Sequence, residues 1–341
     1  MIWRAAALLS CAAGAAAQAP PNGGKSKDFP PGWNGEARTP PLGWRSWNAF
    51  GARISQALME EQIDALVAKN RTVQGWDGKV SLCDLGYCAA GVDEGWEGCG
   101  MGVNRTEKNG RTYRTQHYAN GTPTINPKFP DMPGLVKYGH DKGVKMGWYE
   151  NGCACGEHVE LAINYEGDVK LLHDFEFDAV KLDGCGVQRN MTLYAELMKE
   201  SGKNYSIENC HWGRCTDADD SSCPTVDWCP FNWYRSSGDI NAGHTSWYRN
   251  LQTTIRFQSW EAPVSQPGCW AYPDMREWPM ILSRSLSSGC LGSIAYPLLQ
   301  CQWLHRVCRS PSARLPVLQS RSVACRDRWA GTARILVLGA Y

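Results

Sequence analysis

The stretch that decides the fold is FDAVKLDGCG, residues 177–186. Its first half reads as a buried strand. Its second half carries an ammonium, a carboxylate and a cysteine between two glycines. Side chains alternate across a strand, so Phe177, Ala179, Lys181 and Asp183 share one face, and Asp178, Val180 and Leu182 the other. Charge on a buried strand costs desolvation free energy unless it finds a partner. Lys181 and Asp183 therefore form either a structural ion pair or a working carboxylate beside an ammonium.

Outward from this stretch, strand-like segments alternate with helix-like ones. LGWRSWN and AAGVDEGW are the first two strands, with a helix between them that Ser55 caps and that carries Met59, Ile63, Leu66 and Val67 at helical spacing. The helix around MPGLVKYGHDKG is predicted to end at Gly143. VKMGWYE, a helix near YEGDVKLLHDF, FDAVKLDG, a helix over TLYAELMKESG, then YSIENC, YRSSGDI and GCWAYPDM complete the series. This alternation predicts parallel strands joined by crossover helices. A doubly wound sheet and a (β/α)8 TIM barrel both fit. The barrel is favoured because no Gly-rich phosphate loop follows the first strand. In addition, Trp47, Asp93, Glu94, Tyr149, Lys181, Asp183, Glu208 and Asp239 fall at strand C-terminal ends, which converge on one face of a barrel.

The 341 residues suffice for one large domain or two smaller ones, and a net charge of +1 points to neither nucleic acid nor a membrane surface. Sixteen Trp suit a large aromatic core or a carbohydrate site, where indole stacks on flat apolar sugar faces. Arg4 precedes the run AAALLSCAAGAAA, and Ala15, Ala16 and Ala17 fit a small-residue cleavage site, so residues 1–17 read as a secretory signal. Sequons follow at Asn70, Asn104, Asn120, Asn190 and Asn204. Cys11 leaves with the signal, and fifteen of the sixteen cysteines remain, an odd number. Their spacings hold no paired zinc knuckles, so disulfides are expected.

TPPLGWRSWNAFG, DLGYCAAGVDEGW, KMGWYENGC, FDAVKLDGCG, YSIENCHWG, YRSSGDI and PGCWAYPDM together resemble, in order, the retaining α-galactosidases of glycoside hydrolase family 27 across residues 38–275. The resemblance implies a barrel and hydrolysis of terminal α-linked galactose by double displacement. Asp183 takes the nucleophile's place and Asp239 the acid/base's. Trp47, Asp93, Glu94, Tyr149, Lys181, Cys185, Glu208, Trp212, Arg235 and Asp274 form the implied substrate-binding set. Cys185 is implied to bond Cys153 or Cys155, and Cys210 to bond Cys229. No metal or organic cofactor is implied, and the partner is an α-galactoside. Trp47 is read as a stacking platform, and Trp44, Trp148 and Trp260 as packing residues. Two departures stand out. Glu94 occupies a position where the family has Asp, and His211 one where it has Glu, with Glu208 upstream. Galactose, N-acetylgalactosamine and arabinopyranose therefore remain open as the sugar, making α-N-acetylgalactosaminidase or β-L-arabinopyranosidase the alternative activities. A galactose-binding barrel without catalysis, or an inactive product, is the alternative of another class.

After Met275 acidic residues nearly vanish while Arg and Ser accumulate. The expected organisation is a signal at 1–17, a Pro/Gly-rich lead at 18–37, a barrel over 38–300 that is incomplete at its C-terminal end, and a divergent, irregular tail over 301–341. No counterpart of the family's C-terminal antiparallel β domain is expected. A slipped reading frame or retained intron explains the abrupt change better than a divergent terminus. Open edges on the first and seventh strands are then expected to make this chain fold poorly. The expected destination is outside the cell or the lysosome or vacuole, through the secretory pathway.

Overall fold

The structure, a computed structural model, describes residues 29–157, 160–210, 224–225, 227–241, 243–257 and 265–274. The expected signal, the lead up to residue 28 and the tail over 301–341 lie outside them.

Seven parallel strands form one curled sheet: β1 (Trp44–Arg45), β2 (Ala89–Gly91), β3 (Lys145–Gly152), β4 (Ala179–Gly186), β5 (Ser206–Cys210), β6 (Trp233–Arg235) and β7 (Trp270–Tyr272). Their spatial order is their chain order. Helices separate most of them: α1 (Gln56–Val67), α2 (Met132–Asp141), α3 (Ala162–Asp174), α4 (Met191–Glu200) and α5 (His244–Gln252). Consecutive parallel neighbours with intervening helices are the topology of a (β/α)8 barrel, of which the described residues supply seven strands.

Local chemistry sets the helix ends. Ser55 Oγ accepts from Leu58 N (3.3 Å), Asp131 from Gly134 N (2.9 Å) and Asn190 from Leu193 N (3.0 Å), each satisfying an orphan N–H of a first turn. Lys142 caps α2 at its C-terminus, and Gly143, at φ +74°, turns the chain into β3.

Two apolar layers flank the sheet. Val180 and Leu182 pack outward with Met59, Ile63, Leu66, Leu135, Leu171 and Leu172 of the helices. Ala179 faces inward with Ala89, Trp233 and Tyr272. The alternation read on β4 therefore holds from Ala179 onward. Phe177 departs from it: it precedes the strand, packs on Trp148 at 4.8 Å and joins the outer layer. Trp44 and Trp148 are fully buried packing residues, as expected; Trp260 lies outside the described residues. Two short hairpins decorate the connections: Arg71–Thr72 with Lys79–Val80 between α1 and β2, and Asn104–Thr106 with Thr112–Arg114 between β2 and α2. The helix–strand alternation had no place for them.

Disulfides join Cys83 to Cys88, Cys99 to Cys155, Cys153 to Cys185 and Cys229 to Cys269. The expected Cys210–Cys229 bond is absent. Parallel register sets Trp233 opposite Glu208, which puts Cys229 and Cys210 at opposite ends of the β5–β6 pair, roughly 20 Å apart at ~3.3 Å per residue. Cys229 meets Cys269 just before β7 instead, and Cys210 is a buried free thiol. All five sequon asparagines are exposed. No helix among the described residues is long and apolar enough to cross a membrane.

Candidate active site

At the C-terminal ends of the strands lies a cavity of about 290 Å³. It is lined by Trp47, Asp93, Glu94, Tyr149, Lys181, Asp183, Gly184, Cys185, Arg189, Arg235 and Asp239. Nine of the residues read from the sequence thus meet in one place. Glu208 and Asp274 do not line it; both are buried behind it. Trp212 and His211 lie outside the described residues.

The end of β4 explains the composition of its last four residues. Pairing with β3 runs Tyr149 opposite Lys181 and Asn151 opposite Asp183, then jumps to Gly152 opposite Gly186. Gly184 and Cys185 are thereby bulged out of the ladder and reach the cavity. Gly186 has φ +78°, and a Cβ there would sit 1.9 Å from the Gly152 carbonyl oxygen, so only glycine fits. The Cys153–Cys185 bond ties the two strand ends together beside the cavity.

Asp183 is held from two sides. The Tyr149 hydroxyl donates to Oδ2 (2.8 Å) and the Gly184 N–H to Oδ1 (2.7 Å). Asn151 donates to the Tyr149 oxygen in turn (3.0 Å). Burial, and after it the charge of Asp183, raises the Tyr149 pKa well above the ordinary phenol range, so the phenol remains a donor.

Lys181 does not pair directly with Asp183. Its Nζ donates to Asp93 Oδ2 at 2.8 Å. Burial opposes the ammonium, but Asp93 foremost, with Glu208 and Asp183 assisting, outweighs it and raises the Lys181 pKa above its usual value. Asp93 also faces Arg45 Nε at 3.9 Å, and its backbone N–H donates to Ser46 Oγ (3.0 Å). Arg45 is a neighbour of this cluster that the strand pattern missed. It is fully buried on β1, donates to the Val92 carbonyl (2.7 Å) and pairs with Glu208 across 3.4 Å. Gly91 on β2 makes room for it, since a Cβ there would lie 2.9 Å from the guanidinium carbon. The Tyr272 hydroxyl donates to Glu208. Burial raises the Glu208 pKa while Arg45 and Lys181 oppose that shift. Glu208 thus supports the cations beneath the floor.

Glu94 is half-buried, and burial followed by the charges of Asp93 and Asp183 raises its pKa. On the far side, Arg235 leaves β6 and donates to Asp239 through Nη2, to the Ser237 carbonyl through Nε (2.8 Å) and to Cys210 Sγ through Nη1 (3.2 Å). Asp274 faces it at 3.6 Å and accepts from Ile240 N (2.6 Å). Asp274 thus fixes Arg235 and the loop that carries Asp239. The Asp239 side chain is 65% exposed and stands at the mouth.

Two carboxylates, Asp183 on β4 and Asp239 in the loop after β6, one set on hydrogen-bond donors and one on an arginine, share a small cavity with an aromatic platform and a second acidic pair. Residues 39–321 match the family model described as Alpha galactosidase A, a match that continues beyond Met275, where the motif-by-motif resemblance stops. An alpha-galactosidase of Oryza sativa subsp. japonica is 28% identical over 252 residues, 72% of this chain and 52% of that protein. Alpha-galactosidase 3 of Arabidopsis thaliana is 26% identical over 251 residues, 72% of this chain and 49% of that protein. The chain spans about half the length of these curated relatives. Alpha-galactosidase I from Mortierella vinacea superposes with a TM-score of 0.53 at 20% identity, over 72% of this chain and 61% of that one, a likeness of fold. With the family model covering most of its length and the cavity assembled from the motifs that suggested it, the chain belongs to the Alpha galactosidase A family.

Proposed function

We propose that the protein is a retaining glycoside hydrolase that releases terminal α-linked galactose. The observation that carries this reading is that Asp183 and Asp239 line the same cavity. A retaining glycosidase requires two carboxyl groups flanking one anomeric carbon, with one ionised to attack and the other protonated to assist departure. Asp183, aimed by Tyr149 and Gly184, attacks the anomeric carbon. Asp239, oriented by Arg235, gives its proton to the glycosidic oxygen as that bond breaks. A covalent galactosyl ester on Asp183 results. Asp239, now a carboxylate, takes a proton from water, the water attacks the same carbon, and the ester opens with the original configuration restored.

The remaining residues hold the sugar. Trp47 offers an apolar face for stacking, and Asp93, Glu94 and Lys181 offer acceptors and a donor for ring hydroxyls. Five exposed sequons and four disulfides among the described residues support passage through the secretory pathway.

The test is hydrolysis of a nitrophenyl α-galactoside followed by proton NMR. The first-formed sugar is expected to be the α-anomer; β-galactose appearing first overturns double displacement. Asp183→Asn is expected to lower kcat by on the order of 10³-fold or more while sugar binding persists. Turnover surviving in that variant removes Asp183 from the nucleophile's place.

A further inference from the structure

Burial sorts the cavity lining into a floor and a mouth. Asp93, Tyr149, Lys181 and Arg235 are each 1–3% exposed and form the floor. Asp239 and Arg189 are exposed and stand at the mouth. The charges of the floor are matched: Lys181 with Asp93, and Arg235 with Asp274 and with Asp239 above it. Arg189 has no such match among the described residues. It follows the bulged end of β4, one residue before the Asn190 cap of α4. Its neighbours Gln188 and Asn190 are both engaged, Gln188 with Asp168 and Tyr194 and Asn190 with Leu193 and Tyr165. The backbone carrying Arg189 is therefore anchored on either side, while Arg189 itself is exposed and lines the cavity.

We infer that Arg189 forms a subsite for an anionic group on the leaving-group side of the substrate: a carboxylate or sulfate on the unit to which the galactose is attached. This rests on the hydrolase reading given above. In that reading Asp239 protonates the glycosidic oxygen, so the bond being broken lies at the level of Asp239. Whatever departs leaves through the mouth, past the side chain that shares it. A planar guanidinium with several N–H donors suits a carboxylate or sulfate, which can accept two parallel hydrogen bonds. The alternative use of Arg189 is to swing onto Asp239 and tune its proton transfer. Asp239 already accepts from Arg235, which lessens the demand for a second guanidinium.

The test compares two synthetic substrates, 4-carboxyphenyl and 4-carbamoylphenyl α-galactoside, near-isosteres of which only the first is charged. The readout is the ratio of their kcat/KM values in the full-length chain, which cancels any difference in the folded fraction between preparations. Comparing variant with wild type also cancels the differing reactivity of the two phenols. The ratio in Arg189→Gln is expected to fall about three- to tenfold below wild type, and in Arg189→Lys by less. The wild-type advantage should shrink toward the variant's value as salt is raised. An unchanged ratio, with the neutral substrate still hydrolysed, overturns the anionic subsite and leaves the hydrolase standing. Equal loss on both substrates with a displaced pH profile assigns Arg189 to Asp239 instead and also overturns it. If wild type turns over neither substrate, the hydrolase reading fails and the subsite fails with it.

Discussion

The two carboxylates of the cavity stand on very different ground. Asp183 lies in the C-terminal half of a long strand, is paired on both sides, to Asn151 of β3 and Cys210 of β5, and receives hydrogen bonds on both oxygens. Asp239 follows a three-residue strand, sits in irregular chain and is held chiefly by Arg235. The proposed nucleophile's position is thus built into the sheet, where moving it means breaking ladder hydrogen bonds. The position of the proposed acid/base is delegated to one side chain, which Asp274 and the Ser237 carbonyl hold in turn. This division suits the proposed chemistry. An attacking oxygen must meet a carbon along one line, whereas a proton donor that later becomes a proton acceptor must admit water beside it.

The most direct way to break this contrast is Arg235→Gln. Loss of the guanidinium leaves Asp274 buried without it and frees Asp239. Activity is expected to fall on the order of 10²–10³-fold, and unfolding free energy by about 3–5 kcal/mol, read by steady-state kinetics and denaturant titration. If activity stays near wild type, Asp239 is held by something else. Tyr149→Phe sharpens the other side. It removes one donor to Asp183 and leaves the ladder intact. A fall in kcat of about 10- to 100-fold is expected, the ~1.5–3 kcal/mol of a hydrogen bond to a charged group, with stability near wild type. A loss as large as that of Asp183→Asn shows that the sheet alone does not position the Asp183 carboxylate.

A smaller effect concerns the brace behind the β4 rim. His117 lies between Glu157, which follows β3, and Asp168 of α3, with Nδ1 at 2.8 Å and Nε2 at 2.9 Å from their oxygens. Gln188 and Tyr194 reach the same Asp168 from the β4 side (2.6 and 2.8 Å). Burial disfavours the imidazolium, but Asp168 and then Glu157 outweigh it and push the pKa up to about 9 from 6.5. The folded value is the higher, so this stabilisation is complete below pH 6.5 and disappears as pH rises through 9. Between pH 6 and pH 9.5 the unfolding free energy is expected to drop by on the order of 2–3 kcal/mol, and the drop should be much smaller in His117→Gln. Equal drops in both proteins mean that His117 is not the titrating group.

The alternation in residues 177–186 was enough to set Lys181 and Asp183 on the inward face and Val180 and Leu182 on the helices, because strand periodicity is a local property. Strand ends were legible for the same reason. What escaped was long-range. The partner of Lys181 is Asp93, 88 residues away in the chain, and no local spacing reveals it. Arg45 looked like an ordinary residue in a short strand until Glu208 and Asp93 closed around it. Cys229 paired with Cys269 because of where β7 begins, which depends on a register invisible in sequence. Arg189 carried no motif at all, and only its place on the cavity wall distinguishes it from a surface arginine.

One last feature bears on how the molecule is made. Cys153 and Cys155 are two positions apart, yet one bonds Cys185 and the other Cys99. Exchanging the two partners yields an isomer with the same number of bonds and nearly the same loop lengths, so oxidation alone discriminates weakly between them. Maturation of this rim therefore calls for reshuffling, and a thiol–disulfide isomerase is the kind of helper that would raise the yield of correctly linked protein.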